Sequence, residues 1–171
     1  MKAVLLSLFL VTAIPVAAFA GTPGEAAIGS HLPEATLHGL FGKTKNFSDY
    51  RGKPLIINVW ASWCAPCRAE MGSLERLARR YNGKQFNIIG ISTDDDGNAA
   101  AAFIRKSGVS FANFLDSRVY LENMLGADSI PLTVLVDADG RVLEKVRGAY
   151  EWDNPVIVKE IGETFHLKLP Q

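Results

Sequence analysis

The chain contains two cysteines, Cys64 and Cys67, within Trp60-Ala61-Ser62-Trp63-Cys64-Ala65-Pro66-Cys67-Arg68-Ala69-Glu70-Met71. Two thiols at this spacing can close a disulfide, reopen it, and so exchange with the disulfide of another protein. The chemistry needs one of them as a thiolate. A strand-to-helix junction favours that form, because the first turn of a helix presents unpaired backbone N–H groups and the positive end of the helix dipole. An apolar run, Leu55–Trp60, precedes the pair and a helical pattern follows it. The spacing therefore predicts Cys64 at the helix start as attacking nucleophile and Cys67, one turn further in, as resolving thiol. Pro66 suits the first helical turn, where a missing N–H costs nothing.

Other uses of the pair are weaker. A structural zinc site takes four ligands, yet there is no second cysteine pair, and His31, His38 and His166 are scattered without ligand spacing; no metal is expected. A purely structural disulfide is an open alternative, although closing so short a loop removes little entropy from the unfolded chain. Two thiolates can also hold Cu(I), which makes a copper-binding assembly chaperone the non-enzymatic alternative. No His or Met motif supplies a third ligand for it.

A length of 171 residues with 48% apolar and 21% charged side chains suits one domain plus a targeting segment, and a formal net charge of zero gives no reason to expect nucleic acid. Lys2 precedes an uncharged run over residues 3–20 that ends in Ala18-Phe19-Ala20. That pattern reads as a signal peptide over residues 1–20 with an A-x-A cleavage site. An uncleaved membrane anchor is the alternative, since the run is barely long enough to span a bilayer. Either reading places the domain in an oxidising exterior compartment, the periplasm in a Gram-negative host. Residues 21–29 are small and polar and read as a flexible lead-in, with the folded domain over residues 30–171.

The surrounding pattern specifies what must hold the cysteines. Short apolar pieces broken by Gly39 and Gly42 over residues 30–50 suggest a β-hairpin extension. Leu55–Trp60 is apolar throughout, as a buried central strand should be. Beyond the cysteines, Met71, Leu74, Leu77, Ala78 and Tyr81 recur at helical spacing, with Arg68, Glu75, Arg79 and Arg80 on the wet face, and Asn82-Gly83 stops the helix. A second buried strand is expected over residues 86–91. Asp94-Asp95-Asp96-Gly97 lacks the alternating ligands of a calcium loop and reads as a solvated turn that starts an alanine-rich helix over residues 98–106. A strand over 110–115, a short helix over 118–125 and the strand Leu132–Val136 follow. Asp139-Gly140 then marks a hairpin. Asn154 and Pro155 open a closing helix over 154–165, with Val156, Ile157, Val158, Ile161 and Phe165 inward. The order describes an α/β chain with a mixed central sheet flanked by helices.

Taken together, these motifs resemble the exported TlpA/ResA-type thiol–disulfide oxidoreductases of the thioredoxin superfamily. The likeness runs from about His31 to Phe165. It rests on the cysteine motif, Asp49-Tyr50-Arg51-Gly52-Lys53, Ile130-Pro131-Leu132-Thr133, the turn Val136-Asp137-Ala138-Asp139-Gly140, and Gly148-Ala149-Tyr150-Glu151-Trp152. The helix and strand around residues 98–115 match that family's insertion in the thioredoxin core. The resemblance implies a thioredoxin-like fold, a cis peptide before Pro131 facing the disulfide, and an apolar rim of Trp63, Pro66, Ile130 and Pro131 for docking a protein disulfide. Packing of Trp63 on the adjacent loop is the plainer reading of that residue.

Two departures bear on mechanism. Ordinary thioredoxins carry a buried Asp six residues before the first cysteine, and here that place holds Asn58, which cannot titrate. Exported relatives carry a Glu three residues after the second cysteine, a place filled by Glu70, which the resemblance makes the proton acceptor for Cys67. A solvated helix residue is the competing reading. Gly72 stands where many relatives have proline, which suggests looser helix geometry.

The implied activity is that of a periplasmic thiol–disulfide oxidoreductase acting as a reductant, with no cofactor beyond the Cys64–Cys67 disulfide. Ala65-Pro66 resembles the Gly-Pro of reducing thioredoxins more than the Pro-His of strong oxidants. The implied partners are apocytochrome c or a copper-site protein as substrate and a membrane electron donor, with the chain itself a monomer. A thiol peroxidase shares the layout but needs Thr or Ser three residues before its cysteine and Pro seven before it; Ala61 and Ile57 occupy those places.

Overall fold

The structure, a computed structural model, describes residues 24–170. The signal-peptide reading of residues 1–20 lies outside them. Strands β1 (Thr36–Gly39) and β2 (Lys45–Asn46) form the expected hairpin, and a 3-10 turn over Phe47–Tyr50 leads to β3 (Leu55–Trp60). Helix α1 (Ala65–Tyr81), β4 (Asn87–Ser92), α2 (Gly97–Ser107), β5 (Ala112–Leu115), α3 (Tyr120–Leu125), β6 (Leu132–Val136), β7 (Val142–Arg147) and α4 (Pro155–Thr164) follow.

These strands make one seven-stranded mixed sheet in the order β2-β1-β5-β4-β3-β6-β7. β3 pairs parallel with β4 and antiparallel with β6, so the strand that delivers the cysteine motif lies inside the sheet. All six of its residues are buried, as its unbroken apolar run requires. Its side chains alternate between two cores. Ile56 and Trp60 join Met71, Leu74 and Leu77 of α1, Ile104 of α2 and Ile161 of α4. Leu55, Ile57 and Val59 join Ile89 and Ile91 of β4 and Leu121, Met124 and Leu125 of α3.

The inserted β5 is keyed to this core by a polar contact. Trp60 Nε1 donates to Asn113 Oδ1 at 2.9 Å, directly over Gly90, where an added Cβ would lie 2.0 Å from that oxygen. Only glycine leaves room there.

Four expectations need correction. Residues 25–29 are tied to the sheet and are no loose lead-in. Ala26 is buried, its N–H donates to Met124 O, the Gly29 N–H donates to Val142 O, and Glu25 pairs with Lys145. The domain therefore starts before Ser30. Val156 is exposed, because α4 turns Val158 and Ile161 inward instead. Glu75, expected on the wet face of α1, is buried and accepts from the backbone and hydroxyl of Ser110 and from Arg79. Asp94 is also buried; what it holds belongs to the site.

Candidate active site

Cys64 ends the turn after β3 and is the N-cap residue of α1, with extended backbone angles of φ −77° and ψ 106°. Its Sγ takes the place of a capping oxygen: the Cys67 N–H donates to it at 3.2 Å. Sulfur in that position faces the donor end of the helix, the arrangement that stabilises a thiolate once the pair is reduced. The two sulfurs are joined in a disulfide with Cα atoms 5.3 Å apart. Cys67 is fully buried and Cys64 is 4% exposed, so a partner must reach the pair from the Cys64 side.

The facing element is the loop before β6. The Ile130–Pro131 peptide is cis, and Cys64 Sγ lies 3.8 Å from Ile130 O. A disulfide sulfur has no hydrogen to donate, so this is a contact in the oxidised protein. Ile130 is half-buried and Pro131 buried, whereas Pro66 is exposed. Trp63 is 68% exposed, so most of its ring lies free of the adjacent loop. The structure thus brings Ile130 against Cys64 and leaves Trp63 and Pro66 standing in solvent beside it.

Glu70 is the least expected of the predicted residues by ordinary helix logic, since a charged side chain at the sixth position of an amphipathic helix belongs in water. It is 1% exposed. Asn58 Nδ2 donates to Oε1 at 2.8 Å, while Trp152 Nε1 at 2.8 Å and Tyr150 N at 3.2 Å donate to Oε2. Burial pushes its pKa above the ordinary glutamate value, against the three donors, which pull it down. The donors from β3 and from the loop between β7 and α4 therefore hold a carboxylate that the surroundings would prefer neutral. The same loop is fastened to α1 one and two turns further on. Ser73 Oγ accepts from Trp152 N at 3.0 Å, and Arg76 makes a two-pronged ion pair with Asp153.

Asp94 is the residue that the sequence hid. Its Oδ2 accepts from Ser62 N at 2.8 Å and from Ser92 Oγ at 2.7 Å, and its Oδ1 from Ser62 Oγ at 2.6 Å. It thereby fixes the turn carrying Trp63 and Cys64 to the end of β4. A run of three aspartates before a glycine reads as solvent-facing; only the neighbouring serines at 62 and 92 hint otherwise. Asp96 does what was expected of the run and caps α2 by accepting from Asn98 N.

A seven-stranded mixed sheet with a closed Cys-x-x-Cys pair at the start of its central helix defines a thioredoxin-like thiol–disulfide oxidoreductase. Comparison with known proteins narrows the class. The Redoxin family matches residues 27–161. "Thiol-disulfide oxidoreductase ResA" of Bacillus thuringiensis (strain Al Hakam) is 31% identical over 121 residues, covering 71% of this chain and 70% of the relative. The protein of the same name from Bacillus subtilis (strain 168) is 27% identical over 132 residues, covering 77% and 73%. Among solved structures, a provisionally assigned thiol:disulfide interchange protein DsbE from Chlorobium tepidum superposes with a TM-score of 0.75 at 24% identity, over 82% of this chain and 99% of that one. The thioredoxin domain of a thiol-disulfide oxidoreductase from Bacteroides vulgatus gives 0.67 at 25% identity, over 79% and 98%. The chain belongs to the Redoxin family and, within it, to the ResA-like thiol–disulfide oxidoreductases.

Proposed function

We propose that this enzyme works as a reductant of protein disulfides outside the cytoplasm, with Cys64 attacking, Cys67 resolving and Glu70 handling the proton. The observation that carries the assignment is the N-cap contact: the Cys67 N–H is aimed at Cys64 Sγ, and Cys67 itself is sealed from solvent. The Cys64 thiolate attacks one sulfur of the partner disulfide, forming a mixed disulfide and releasing the other partner sulfur as a thiolate, which takes a proton from water. Cys67 then gives its proton to Glu70 and attacks Cys64 Sγ. The second partner sulfur leaves as a thiolate, and two electrons have passed from the enzyme dithiol to the partner. The rim of Trp63, Pro66, Ile130 and Pro131 docks an extended segment of that partner.

The apolar run at the chain's start supports export to the periplasm. The names of the relatives, a thiol-disulfide oxidoreductase and a thiol:disulfide interchange protein, support a role in thiol–disulfide exchange. The Cys-x-x-Cys-His site of apocytochrome c is the leading substrate and the cysteines of a copper-site protein the second, with a membrane dithiol donor recharging the enzyme and the enzyme acting as a monomer.

Cys64→Ser is expected to abolish insulin-disulfide reduction, and Cys67→Ala to abolish turnover while accumulating mixed disulfides in the native host. Alkylation of Cys67 ahead of Cys64 in the reduced protein would reverse the roles. Mixed disulfides formed only with proteins lacking paired cysteines would remove the substrate assignment.

A further inference from the structure

Asn58 lies at the middle of the sheet, in register with Gly90 of β4 and Thr133 of β6, and is fully buried. It shares a face of β3 with Ile56 and Trp60, which lie in one core cluster with Cys67 and Met71, so its side chain enters the sheet face that α1 covers. Both hydrogens of Nδ2 are used, on Glu70 Oε1 at 2.8 Å and on Thr133 Oγ1 at 3.0 Å. Its Oδ1 has no hydrogen-bond partner and is the one buried side-chain oxygen or nitrogen among the described residues in that condition. Buried polar atoms are almost always paired, and an exception calls for a physical reason. Turning the amide over does not supply one, because Oδ1 would then face Glu70 Oε1, the oxygen that accepts from Nδ2, acceptor against acceptor. Glu70 therefore fixes which way Asn58 points.

We propose that Asn58 Oδ1 is an acceptor for the reduced protein, receiving the S–H of the buried Cys67 when the disulfide opens. A disulfide sulfur carries no hydrogen. Reduction by an external dithiol delivers two electrons and two protons, breaks the S–S bond and gives the fully buried Cys67 a donor. The unpaired oxygen and the new hydrogen then satisfy each other, and the oxidised protein is the state that bears the unpaired atom. Asn58 is a positioning residue in this scheme. One end of its amide holds the carboxylate, the other holds the thiol, and the proton to be transferred is kept beside the group that takes it. The proposal rests on Cys67 being the buried resolving thiol. Trapping with Cys67→Ala tests that reading without involving Asn58, so the two can fail separately.

The test is equilibration with glutathione redox buffers, reading the fraction oxidised. Asn58→Ala removes the acceptor and is expected to shift the equilibrium about tenfold towards the disulfide, a potential about 30 mV more negative for a two-electron couple. The same shift is expected when Asn58→Ala is made in a Glu70→Ala background. An equilibrium constant within twofold of wild type would overturn the proposal. So would a shift that vanishes in the Glu70→Ala background, since Asn58 would then act through Glu70 alone. Should these variants fail to fold, the unmodified side chain reports directly. The Asn58 carboxamide carbon is expected to move to a hydrogen-bonded NMR shift on reduction of the wild-type protein, and no movement between the two redox states would overturn the proposal.

Discussion

Glu70 and Asp94 are both carboxylates sealed in the elements that carry the disulfide, 1% and 2% exposed, and each accepts three hydrogen bonds. They are built from different parts. The donors to Asp94 come from the ends of two neighbouring strands: Ser62 N and Ser62 Oγ just after β3 and Ser92 Oγ of β4, all within 2.6–2.8 Å. Glu70 is held by an amide from the middle of β3 and by an indole and a backbone N–H from a loop some eighty positions away in sequence. The first set locks a turn. The second arrives only when the whole fold closes, and it leaves a carboxylate whose pKa burial still pushes up. Burial alone does not say what an acid is for; the reach of its donors and the direction of its pKa do.

The largest effect that tests this contrast is on Asp94. Asp94→Ala strands three donors in or beside the core, and hydrogen bonds to charged groups are worth about 1.5–3 kcal/mol each. With Ser62 partly open to water, a loss on the order of 3 kcal/mol in denaturant unfolding is expected, with slower alkylation of Cys64 as its turn loosens. A loss below about 1 kcal/mol would mean that the turn is held by other contacts.

Glu70→Gln is expected to leave the fold intact, because Asn58 can turn and offer its unpaired Oδ1 to the introduced amide. Removing the charge should lower the apparent cysteine pKa and slow mixed-disulfide resolution, by ~100-fold if Glu70 is a working general base. Thiolate ultraviolet absorbance against pH, measured beside single-turnover resolution, reads both. Superimposable titrations with unchanged turnover would make Glu70 a strut like Asp94.

The pH dependence of stability supplies a third separation. An acid whose pKa is raised on folding binds its proton more tightly in the native state than in the unfolded one. Its contribution is therefore fully present below the ordinary glutamate value of 4.5 and is lost as pH rises towards the folded pKa. Wild type should lose stability relative to Glu70→Gln as pH rises through that window, with a limiting slope of about 1.4 kcal/mol per pH unit for one proton. Parallel stability profiles for the two proteins would remove the raised pKa from the account.

Much of this was readable from the chain because the signals are local. An apolar strand, a proline-bearing helix start and two cysteines specify the N-cap geometry of Cys64, and Asp139-Gly140 specifies the β6–β7 hairpin. Only the resemblance marks Glu70, since its helix position alone predicts solvent. What hid Asp94 and Glu75 is that their partners, Ser62 and Ser110, lie 32 and 35 positions away in sequence, and a charged residue at a turn or a helix face carries no mark of such pairing. Residues 25–29, Glu-Ala-Ala-Ile-Gly, hide their tie to the sheet for the same reason: nothing in them shows the Met124 and Val142 carbonyls that bind them.

The smallest expected effect concerns Gly72, between Glu70 and Ser73 on α1. The sequence suggests looser geometry there, yet α1 runs unbroken from Ala65 to Tyr81. A Cβ at Gly72 would meet only Arg76 Nη1, at 3.5 Å, an ordinary contact with the end of a flexible side chain. Glycine inside a helix costs about 0.5–1 kcal/mol relative to alanine, through the entropy of the unfolded chain. Gly72→Ala should therefore raise stability by about that amount and leave the thiol titration where it was. If Glu70 keeps one position through the cycle, turnover is also unchanged, because the anchors of the loop that holds it lie on a helix already rigid. A variant that gains stability but resolves mixed disulfides more slowly would show that this part of α1 bends while Glu70 takes its proton, and the contrast with the fixed strut at Asp94 would become one of motion as well as charge.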